Sequence, residues 1–298
     1  MMMIPPLLSY VTFNRLGLTI SSLSSILNTS DDFEMHIIDN NSTDDTWDYI
    51  LSLNDSRIKS KTKNPINVGQ IHAMNINLAR RKEDQYFITI DNDIMINTKD
   101  WISRFMQVFD AFPDLGMLGV QTIPDNSPDV TPVSQNGQTY LALNKVPEQQ
   151  PRKSFIPGSC LCLKPELIEK VGYWSEENCF GDIELSFRVN NFTSFKAGFI
   201  TDVELSILQN VDCAGCQYKD SCKLNKAGGK TCFSEYKNLN DIFRDKFWWK
   251  FKETVTDMQS GARPIYCASL LGYKINSDQI FNFNWATENI QFYINNAN

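Results

Sequence analysis

Short apolar runs alternate with amphipathic segments over the first 120 residues of the chain. The runs that predict strands are 7–12, 33–38, 86–90 and 116–120, with a weaker candidate at 58–62. The segments with apolar residues at helical spacing are 15–28, 44–53 and 69–80. Strands that alternate with helices predict a mostly parallel sheet covered on both faces, and therefore an α/β fold.

The pattern changes after residue 120. Residues 121–157 are rich in Pro, Gln, Asn and Ser, and they predict a long loop beside the functional site. Residues 159–200 are again structured, with a helix start at 180–189. A further helix, rich in aromatic and basic residues, is predicted at 236–255.

Two polar clusters follow predicted strands. They are DNNSTDD at 39–45 and DND at 91–93. Ligands of parallel α/β sheets bind beyond the carboxyl ends of the strands, where both clusters are expected to lie. Asp91 and Asp93 also interrupt an otherwise apolar stretch, and two like charges one residue apart are costly in a protein interior. We therefore expect a cation or a cationic group beside them.

Composition narrows the classes of function. The formal net charge of −7 argues against binding to a nucleic-acid backbone. No apolar run approaches the length of a membrane span, and the first residues lack the basic region of a signal peptide, so we expect a cytoplasmic protein with reduced cysteines. Aromatic residues 247–249 lie between two lysines; packing of this helix is the favoured interpretation, and peripheral membrane contact is the alternative.

Five motifs in order resemble the family 2 glycosyltransferases of the GT-A fold, which have a Rossmann-like sheet. The resemblance covers about residues 5–205. The matching residues are Thr12-Phe13-Asn14-Arg15, Asp39-Asn40-Asn41-Ser42-Thr43-Asp44, Asn67-Val68-Gly69 with Ala73 and Asn75, Asp91-Asn92-Asp93, and Gly181-Asp182-Ile183-Glu184-Leu185-Ser186-Phe187-Arg188. The implied organisation is a GT-A catalytic domain at 1–208, with a nucleotide-sugar half at about 1–120 and an acceptor half at about 121–208. A C-terminal extension at 209–298 carries a cysteine-rich module and helices.

The resemblance implies a donor site for a nucleotide-diphosphosugar, with UDP favoured. Asp93, with Asp91 nearby, would hold Mn²⁺ or Mg²⁺ against the diphosphate. Asp39 would accept from a nucleobase N–H beside the backbone of Thr12, Phe13, Asn14 and Arg15. Asn67 and Gly69 would approach the phosphates or the sugar. The other implied donor-binding residues are Asn41, Asn75 and Asn92.

The resemblance also implies a general base. Asp182 is the first candidate for removing the acceptor proton in an inverting transfer. Glu184 is the second, because Gly181 stands where the family has Glu. The chain departs from the family again in its histidines, since only His36 and His72 are present and both lie far upstream of the usual metal ligand.

A cluster of cysteines lies in the extension. Cys213, Cys216, Cys222 and Cys232 have the spacing C-x₂-C-x₅-C-x₉-C. Four thiolates from a short loop suit a structural Zn²⁺ ion. The first three also resemble part of the auxiliary iron–sulfur domains of some radical enzymes, so an iron–sulfur cluster is the alternative.

The sequence thus predicts an inverting, metal-dependent glycosyltransferase of the hexosyltransferase type, with a glycan, lipid-linked or protein acceptor. The first alternative is a transferase-like binding scaffold without catalysis. The second is a sugar nucleotidyltransferase, which normally has a Gly-rich phosphate loop after the first strand, where this chain has Thr12-Phe13-Asn14-Arg15. The sequence predicts neither the acceptor nor an oligomeric state.

Overall fold

The computed structural model describes residues 4–122, 128–145, 154–178, 180–208, 219–220, 232–271 and 282–297, with side chains from 239 onward in the helix that starts at 232. The strands are β1 (Leu7–Thr12), β2 (Glu34–Asp39), β3 (Ile58–Lys63), β4 (Phe87–Asp91), β5 (Ile94–Ile96), β6 (Leu115–Gly119), β7 (Val130–Gln135), β8 (Gln138–Leu143), β9 (Cys160–Leu163), β10 (Lys196–Ile200) and β11 (Leu205–Ile207). The helices are α1 (Leu16–Leu27), α2 (Thr46–Ser52), α3 (Gln70–Leu78), α4 (Trp101–Ala111), α5 (Pro165–Val171), α6 (Gly181–Phe192), α7 (Cys232–Ser260) and α8 (Phe283–Asn296). Each predicted strand and helix of the first 120 residues is confirmed, with boundaries that differ by a residue or two.

Nine strands form the main sheet in the order β3-β2-β1-β4-β9-β6-β10-β8-β7. Strands β1 to β4 pair in parallel, whereas β9 runs antiparallel between β4 and β6. The register sets Thr12 opposite Asp39 and Val11 opposite Asp91. The residues that end β1, β2 and β4 therefore meet at one edge of the sheet, as the sequence predicts.

Residues 121–157 are not the continuous loop that their composition predicts. Within them, β7 and β8 form a hairpin, and β8 adds to the sheet beside β10. The turn is Asn136-Gly137, with φ values of 52° and 77°. This dipeptide favours the left-handed backbone of tight hairpins, whereas the partly exposed strands beside it have only a weak apolar pattern.

Two hydrophobic clusters cover the faces of the sheet, and the C-terminal helices belong to one of them. Phe243, Phe247 and Phe251 of α7 and Phe292 of α8 are buried in the same cluster as residues of α3 and α6. Trp248 stacks on Phe251 at 5.5 Å between ring centroids. Packing is thus confirmed for Phe247 and Trp248, whereas Trp249 is 45% exposed.

Buried carboxylates join the loop before α6 to the C-terminal segment. Glu177 pairs with Arg263 at 2.6 Å and accepts from the backbone N–H of Asn282 at 2.6 Å. Glu176 accepts from the Ser269 hydroxyl at 2.9 Å and from the Leu270 N–H at 2.7 Å. The loop that leads into α6 is therefore held by residues about ninety positions later in the chain.

Across the described ranges, no helix combines the length and the apolar character that a membrane crossing requires.

Candidate active site

The loops after β1 and β2 are bonded to each other. Asn14 and Arg15 have φ values of 53° and 69°, a left-handed conformation that Asn tolerates better than most residues. The side-chain oxygen of Asn14 accepts a hydrogen bond from the Thr43 N–H at 2.8 Å. The backbone N–H of Asn14 donates to the Ser42 hydroxyl at 2.7 Å. Asn14 thus shapes both loops, and Asn41, at φ 72°, turns the second one.

Asp39 is the last residue of β2, and only one of its two carboxylate oxygens has a hydrogen-bond partner among the described residues. Its Oδ1 accepts from the Ser42 N–H at 2.7 Å. Its Oδ2 is buried and has no hydrogen-bond partner among the described residues. Burial raises the pKa of this carboxyl above its ordinary value. A ligand N–H at Oδ2 would supply the missing hydrogen bond.

A cavity opens at this edge of the sheet, and we call it the donor cavity after the donor-binding residues predicted from the sequence. Its walls are formed by Val11, Thr12, Phe13, Arg15, Asn40, Asn67, Gln70, Asp91, Asn92, Asp93, Leu239, Asn240 and Tyr293. Six of the eleven predicted donor-binding residues therefore line this cavity, namely Thr12, Phe13, Arg15, Asn67, Asp91 and Asn92. Asp93, the second aspartate proposed for the metal, lines it as well.

The charges in the donor cavity are only partly balanced. Arg15 pairs with Asp93 at 3.0 Å and donates to the Asn92 side-chain oxygen at 3.3 Å. Asp91 accepts from the Gln70 amide at 2.8 Å. Burial raises the pKa of Asp91 to about 8, and the charges of Asp93 and Asp182 add to the effect. Burial is the larger cause of this rise, and the neighbouring carboxylates Asp93 and Asp182 add a local excess of negative charge.

A divalent cation fits this excess. Carboxylate oxygens are the ligands that Mg²⁺ and Mn²⁺ prefer, and Asp91 and Asp93 line the same cavity. Among the described residues, no group of three His, Cys, Asp or Glu side chains is arranged to hold a metal ion. The protein would thus supply two carboxylates, and oxygens of a bound diphosphate and of water would complete the coordination.

A second cavity, the acceptor cavity, lies beside the first and contains Asp182. Its walls are formed by Gln70, Ile71, Met74, Gly158, Gly181, Asp182, Asn240, Phe243, Arg244 and Tyr293. Asp182 Oδ2 accepts from the Gly158 N–H at 3.0 Å. Burial raises the pKa of Asp182, while the Gly158 hydrogen bond and the charge of Arg244 oppose the rise. Asp182 also raises the pKa of Asp91, so the carboxylates of the two cavities interact.

Six predicted site residues line neither of these cavities, namely Asn14, Asp39, Asn41, Gly69, Asn75 and Glu184. Glu184 is 1 % exposed, and its two oxygens contact Arg188 at 3.0 Å each. Asn75 is fully buried and bonds the backbone of Trp174 through both ends of its amide. Gly69, at φ 84°, lies under the ring of Tyr293 and lines a smaller cavity next to His72. The structure thus gives Glu184 and Asn75 contacts within the core.

Residues 10–172, more than half of the chain, match the family described as Glycosyl transferase family 2. The chain belongs to this family. Its sheet, with helices on both faces, confirms the predicted α/β fold of the GT-A type. A comparison with curated protein sequences gives no match.

Two solved structures with TM-scores above 0.5 share the fold at low sequence identity. The mannosyltransferase PcManGT from Pyrobaculum calidifontis, in complex with GDP-Man and Mn²⁺, has a TM-score of 0.53 and 16% identity over 99% of this chain and 86% of its own. GalNAc-T7 with UDP, GalNAc and Mn²⁺ has a TM-score of 0.51 and 13% identity over 87% of this chain and 58% of its own. S. aureus TarS 1-349 in complex with UDP-GlcNAc has a TM-score of 0.49 and 15% identity over 67% of this chain. The aligned part spans 56% of that TarS chain.

Several residues that line the donor cavity were not predicted from the sequence. Asn40 joins the loop after β2 to the loop between β3 and α3, because its amide donates to Asn67 at 2.8 Å and its oxygen accepts from Asn64 at 3.0 Å and from the Val68 N–H at 3.2 Å. Its place inside the DNNSTDD cluster was the available signal. Gln70 follows Gly69 directly, but Leu239, Asn240 and Tyr293 come from α7 and α8, where no motif marked them.

Cys213, Cys216 and Cys222 of the predicted cysteine module lie outside the described residues. Cys232 begins α7, and only its backbone is described.

Proposed function

We propose that the chain is an inverting, divalent-metal-dependent glycosyltransferase that moves a sugar from a nucleotide-diphosphosugar to a glycan, a lipid-linked or a protein acceptor. One observation carries this proposal. The cavity with Asp91 and Asp93 adjoins the cavity with Asp182, and Gln70, Asn240 and Tyr293 line both. A diphosphate leaving group and an acceptor hydroxyl can therefore approach one sugar from two sides.

Residues that line the donor cavity, and Asp39 at the end of the neighbouring strand β2, have separate tasks in this mechanism. Asp39 would accept from a nucleobase N–H through Oδ2. Arg15 would place positive charge near the diphosphate. When Mn²⁺ or Mg²⁺ is bound by Asp91 and Asp93, it would neutralise the charge that develops on the leaving group. The family assignment supports sugar transfer, and UDP is the favoured nucleotide.

Asp182 is the proposed general base. It would take the proton of the acceptor hydroxyl while that oxygen attacks the anomeric carbon and the diphosphate leaves on the opposite face. Burial raises its pKa above the ordinary value, which makes its ionised form a stronger proton acceptor than an exposed Asp. Glu184 is the weaker candidate, because its contacts with Arg188 would have to break first.

The structural neighbours support the choice of donor and metal. The mannosyltransferase from Pyrobaculum calidifontis was solved with GDP-Man and Mn²⁺, and GalNAc-T7 with UDP, GalNAc and Mn²⁺. A nucleotide-sugar donor with Mn²⁺ is therefore the first combination to test on this chain.

The test is release of nucleotide by the purified chain from UDP-, GDP- and dTDP-sugars, with and without Mn²⁺. Asp93→Ala is expected to abolish metal-dependent release. Asp182→Asn is expected to slow transfer by about 10²–10⁴. Asp110→Asn, which removes the same charge at an exposed site of α4, is the matched control and should act like the wild type.

Two results would contradict the proposal. Nucleotide binding without release from any donor would favour the non-catalytic scaffold. Formation of a nucleotide-sugar from a nucleoside triphosphate and a sugar phosphate would favour the nucleotidyltransferase.

Metal binding should depend on pH, because a carboxyl must lose its proton to hold a cation. The pKa of Asp91 in the metal-free protein is about 8, so Mn²⁺ affinity should rise between pH 6 and pH 8 and then level off. Electron paramagnetic resonance of free Mn²⁺ measures this directly. Asp91→Asn should bind more weakly and lose most of the pH dependence; a pH-independent affinity in the wild type would contradict the assignment.

We further propose, from spacing alone, that Cys213, Cys216, Cys222 and Cys232 bind one structural Zn²⁺ ion, with an iron–sulfur cluster as the alternative. Elemental analysis of anaerobically purified protein separates the two, since zinc without visible absorption supports the first and iron with sulfide supports the second. Protein that contains neither metal would contradict both.

We also infer a cytoplasmic location, in keeping with nucleotide-sugar donors and reduced cysteines. Trp249, which is 45% exposed on α7, is the residue through which peripheral membrane contact would occur. Co-sedimentation with anionic vesicles, compared between wild type and Trp249→Ala, tests that contact.

A further inference from the structure

Three side chains line both the donor cavity and the acceptor cavity. They are Gln70 at the start of α3, Asn240 on α7 and Tyr293 on α8. Each of the other lining residues belongs to only one of the two cavities. These three residues therefore mark the boundary between the two spaces.

The chemistry of the proposed transfer fixes what occupies this boundary. The anomeric carbon must lie between the leaving diphosphate oxygen and the attacking acceptor oxygen, roughly in line. The diphosphate belongs beside Asp91 and Asp93, and the acceptor hydroxyl belongs beside Asp182. The transferred sugar ring then lies against the wall that the two cavities share. This step rests on the proposed function.

Gln70 has a task of its own at this wall. Its amide nitrogen donates to Asp91 Oδ1 at 2.8 Å, so it orients a carboxylate of the donor cavity. Asn240 and Tyr293 belong to helices outside the segment 10–172 that matches the family. The Tyr293 hydroxyl approaches the Asn240 side-chain oxygen at 3.4 Å, a long contact that a sugar hydroxyl could replace.

The position of the Tyr293 ring is set by the backbone beneath it. A Cβ added at Gly69 would lie 2.6 Å from Cδ2 of Tyr293, closer than real Cβ contacts occur. The ring also packs at 4.9 Å from the ring of Phe243, between centroids. An aromatic ring fixed in this way, with an amide next to its hydroxyl, has the polar and apolar groups that distinguish one sugar epimer from another.

We propose that Asn240 and Tyr293 determine which sugar of the nucleotide-diphosphosugar is accepted. The C-terminal helices thus supply the selectivity of a site whose diphosphate and metal residues come from the family segment. The discriminating groups are the amide of Asn240 and the hydroxyl of Tyr293, each bonding a hydroxyl of the donor sugar.

The experiment compares binding of the nucleotide with selection of the sugar. Asn240→Ala and Tyr293→Phe are measured by calorimetry with UDP and GDP in the presence of Mn²⁺. Their turnover is measured on donors that share a nucleotide and differ at one hydroxyl, UDP-glucose against UDP-galactose and GDP-mannose against GDP-glucose. Nucleoside diphosphate affinity should stay within about 3-fold, and the preferred epimer should lose about 10-fold or more of its kcat/KM advantage, as expected when a site loses a hydrogen bond to a substrate hydroxyl.

Exposed positions on the same helices give matched controls. Ile242→Ala on α7 and Gln291→Ala on α8 should leave both measurements unchanged. An unchanged epimer ratio in Asn240→Ala and Tyr293→Phe would overturn the proposal, and so would an equal loss of UDP or GDP binding. A wild-type chain that binds neither nucleotide and turns over no donor would refute the proposed function itself, and is recognised before any variant is made.

Discussion

Replacing Gly158 by Ala is expected to displace the proposed base without removing it. A Cβ at this position would lie 2.4 Å from Asp182 Oδ1, whereas ordinary contacts begin at about 3.4 Å. The backbone of Gly158 is outside the positive-φ region, so Ala is tolerated there, and its N–H remains available. The carboxylate must therefore retreat by about 1 Å.

A displacement of this size has a measurable consequence. Misplacing a catalytic group by about 1 Å can cost about 10²-fold in rate, which corresponds to about 2.7 kcal/mol in the activation barrier. The assay is steady-state transfer with the donor and metal found active, with nucleoside diphosphate affinity measured in parallel. We expect kcat to fall by about 10²-fold while nucleotide affinity remains within about 2-fold, because Gly158 lines only the acceptor cavity.

Gly181→Ala is the matched control for this variant. Gly181 precedes Asp182 directly, and its Cβ would meet Cδ1 of Ile71 at 2.9 Å, the flexible end of an apolar side chain. That contact is relieved by a small rotation, so activity should remain within about 3-fold of the wild type. If Gly158→Ala is folded and as active as Gly181→Ala, the position of the Asp182 carboxylate does not control the reaction, and the assignment of the base is refuted.

Two further variants separate electrostatic from structural roles. The charge of Arg244 lowers the pKa of Asp182, so Arg244→Gln should raise that pKa. The acidic side of the pH profile of kcat/KM should then move to higher pH. Lys246→Gln, at an exposed position of the same helix, should leave the pH profile unchanged. Glu184→Gln leaves the buried charge of Arg188 without its partner and should lower the free energy of unfolding in urea by about 3–5 kcal/mol, with turnover per folded molecule retained. Lost turnover at unchanged stability would instead place Glu184 in the chemistry.

The early elements and part of the site could be predicted from the sequence because their signals are local. An apolar run followed by Asp and Asn marks both a strand and its carboxyl end, as for β2 with Asp39 and β4 with Asp91. Parallel pairing then brings these ends together without further information. Asp182 was instead predicted from the resemblance of residues 181–188 to a family motif, and it lies at the start of α6.

The rest of the site depends on contacts between distant parts of the chain, for which the local pattern carries no signal. Asn240 and Tyr293 reach the cavities only because α7 and α8 pack into the same hydrophobic cluster as α3 and α6. Apolar spacing predicts that a helix packs against other elements, but it does not predict which elements they are or which of their faces the helix contacts. Glu184 illustrates the converse, since Arg188 stands four residues later on the same predicted helix, and this local spacing favours the ion pair in which Arg188 contacts both carboxylate oxygens.

The two carboxylates before α6 give the chain a late assembly step. While the chain is being synthesised, Glu177 has no Arg263 to pair with, and Glu176 lacks Ser269 and Leu270, until those residues have emerged from the ribosome. Every described strand has been synthesised by then. A nascent chain would thus hold Asp91 and Asp93 well before the loop that leads to the proposed base is anchored. A chain that ended before residue 263 would stay in that state, without Arg263 to pair with Glu177 and without Tyr293 of the donor cavity.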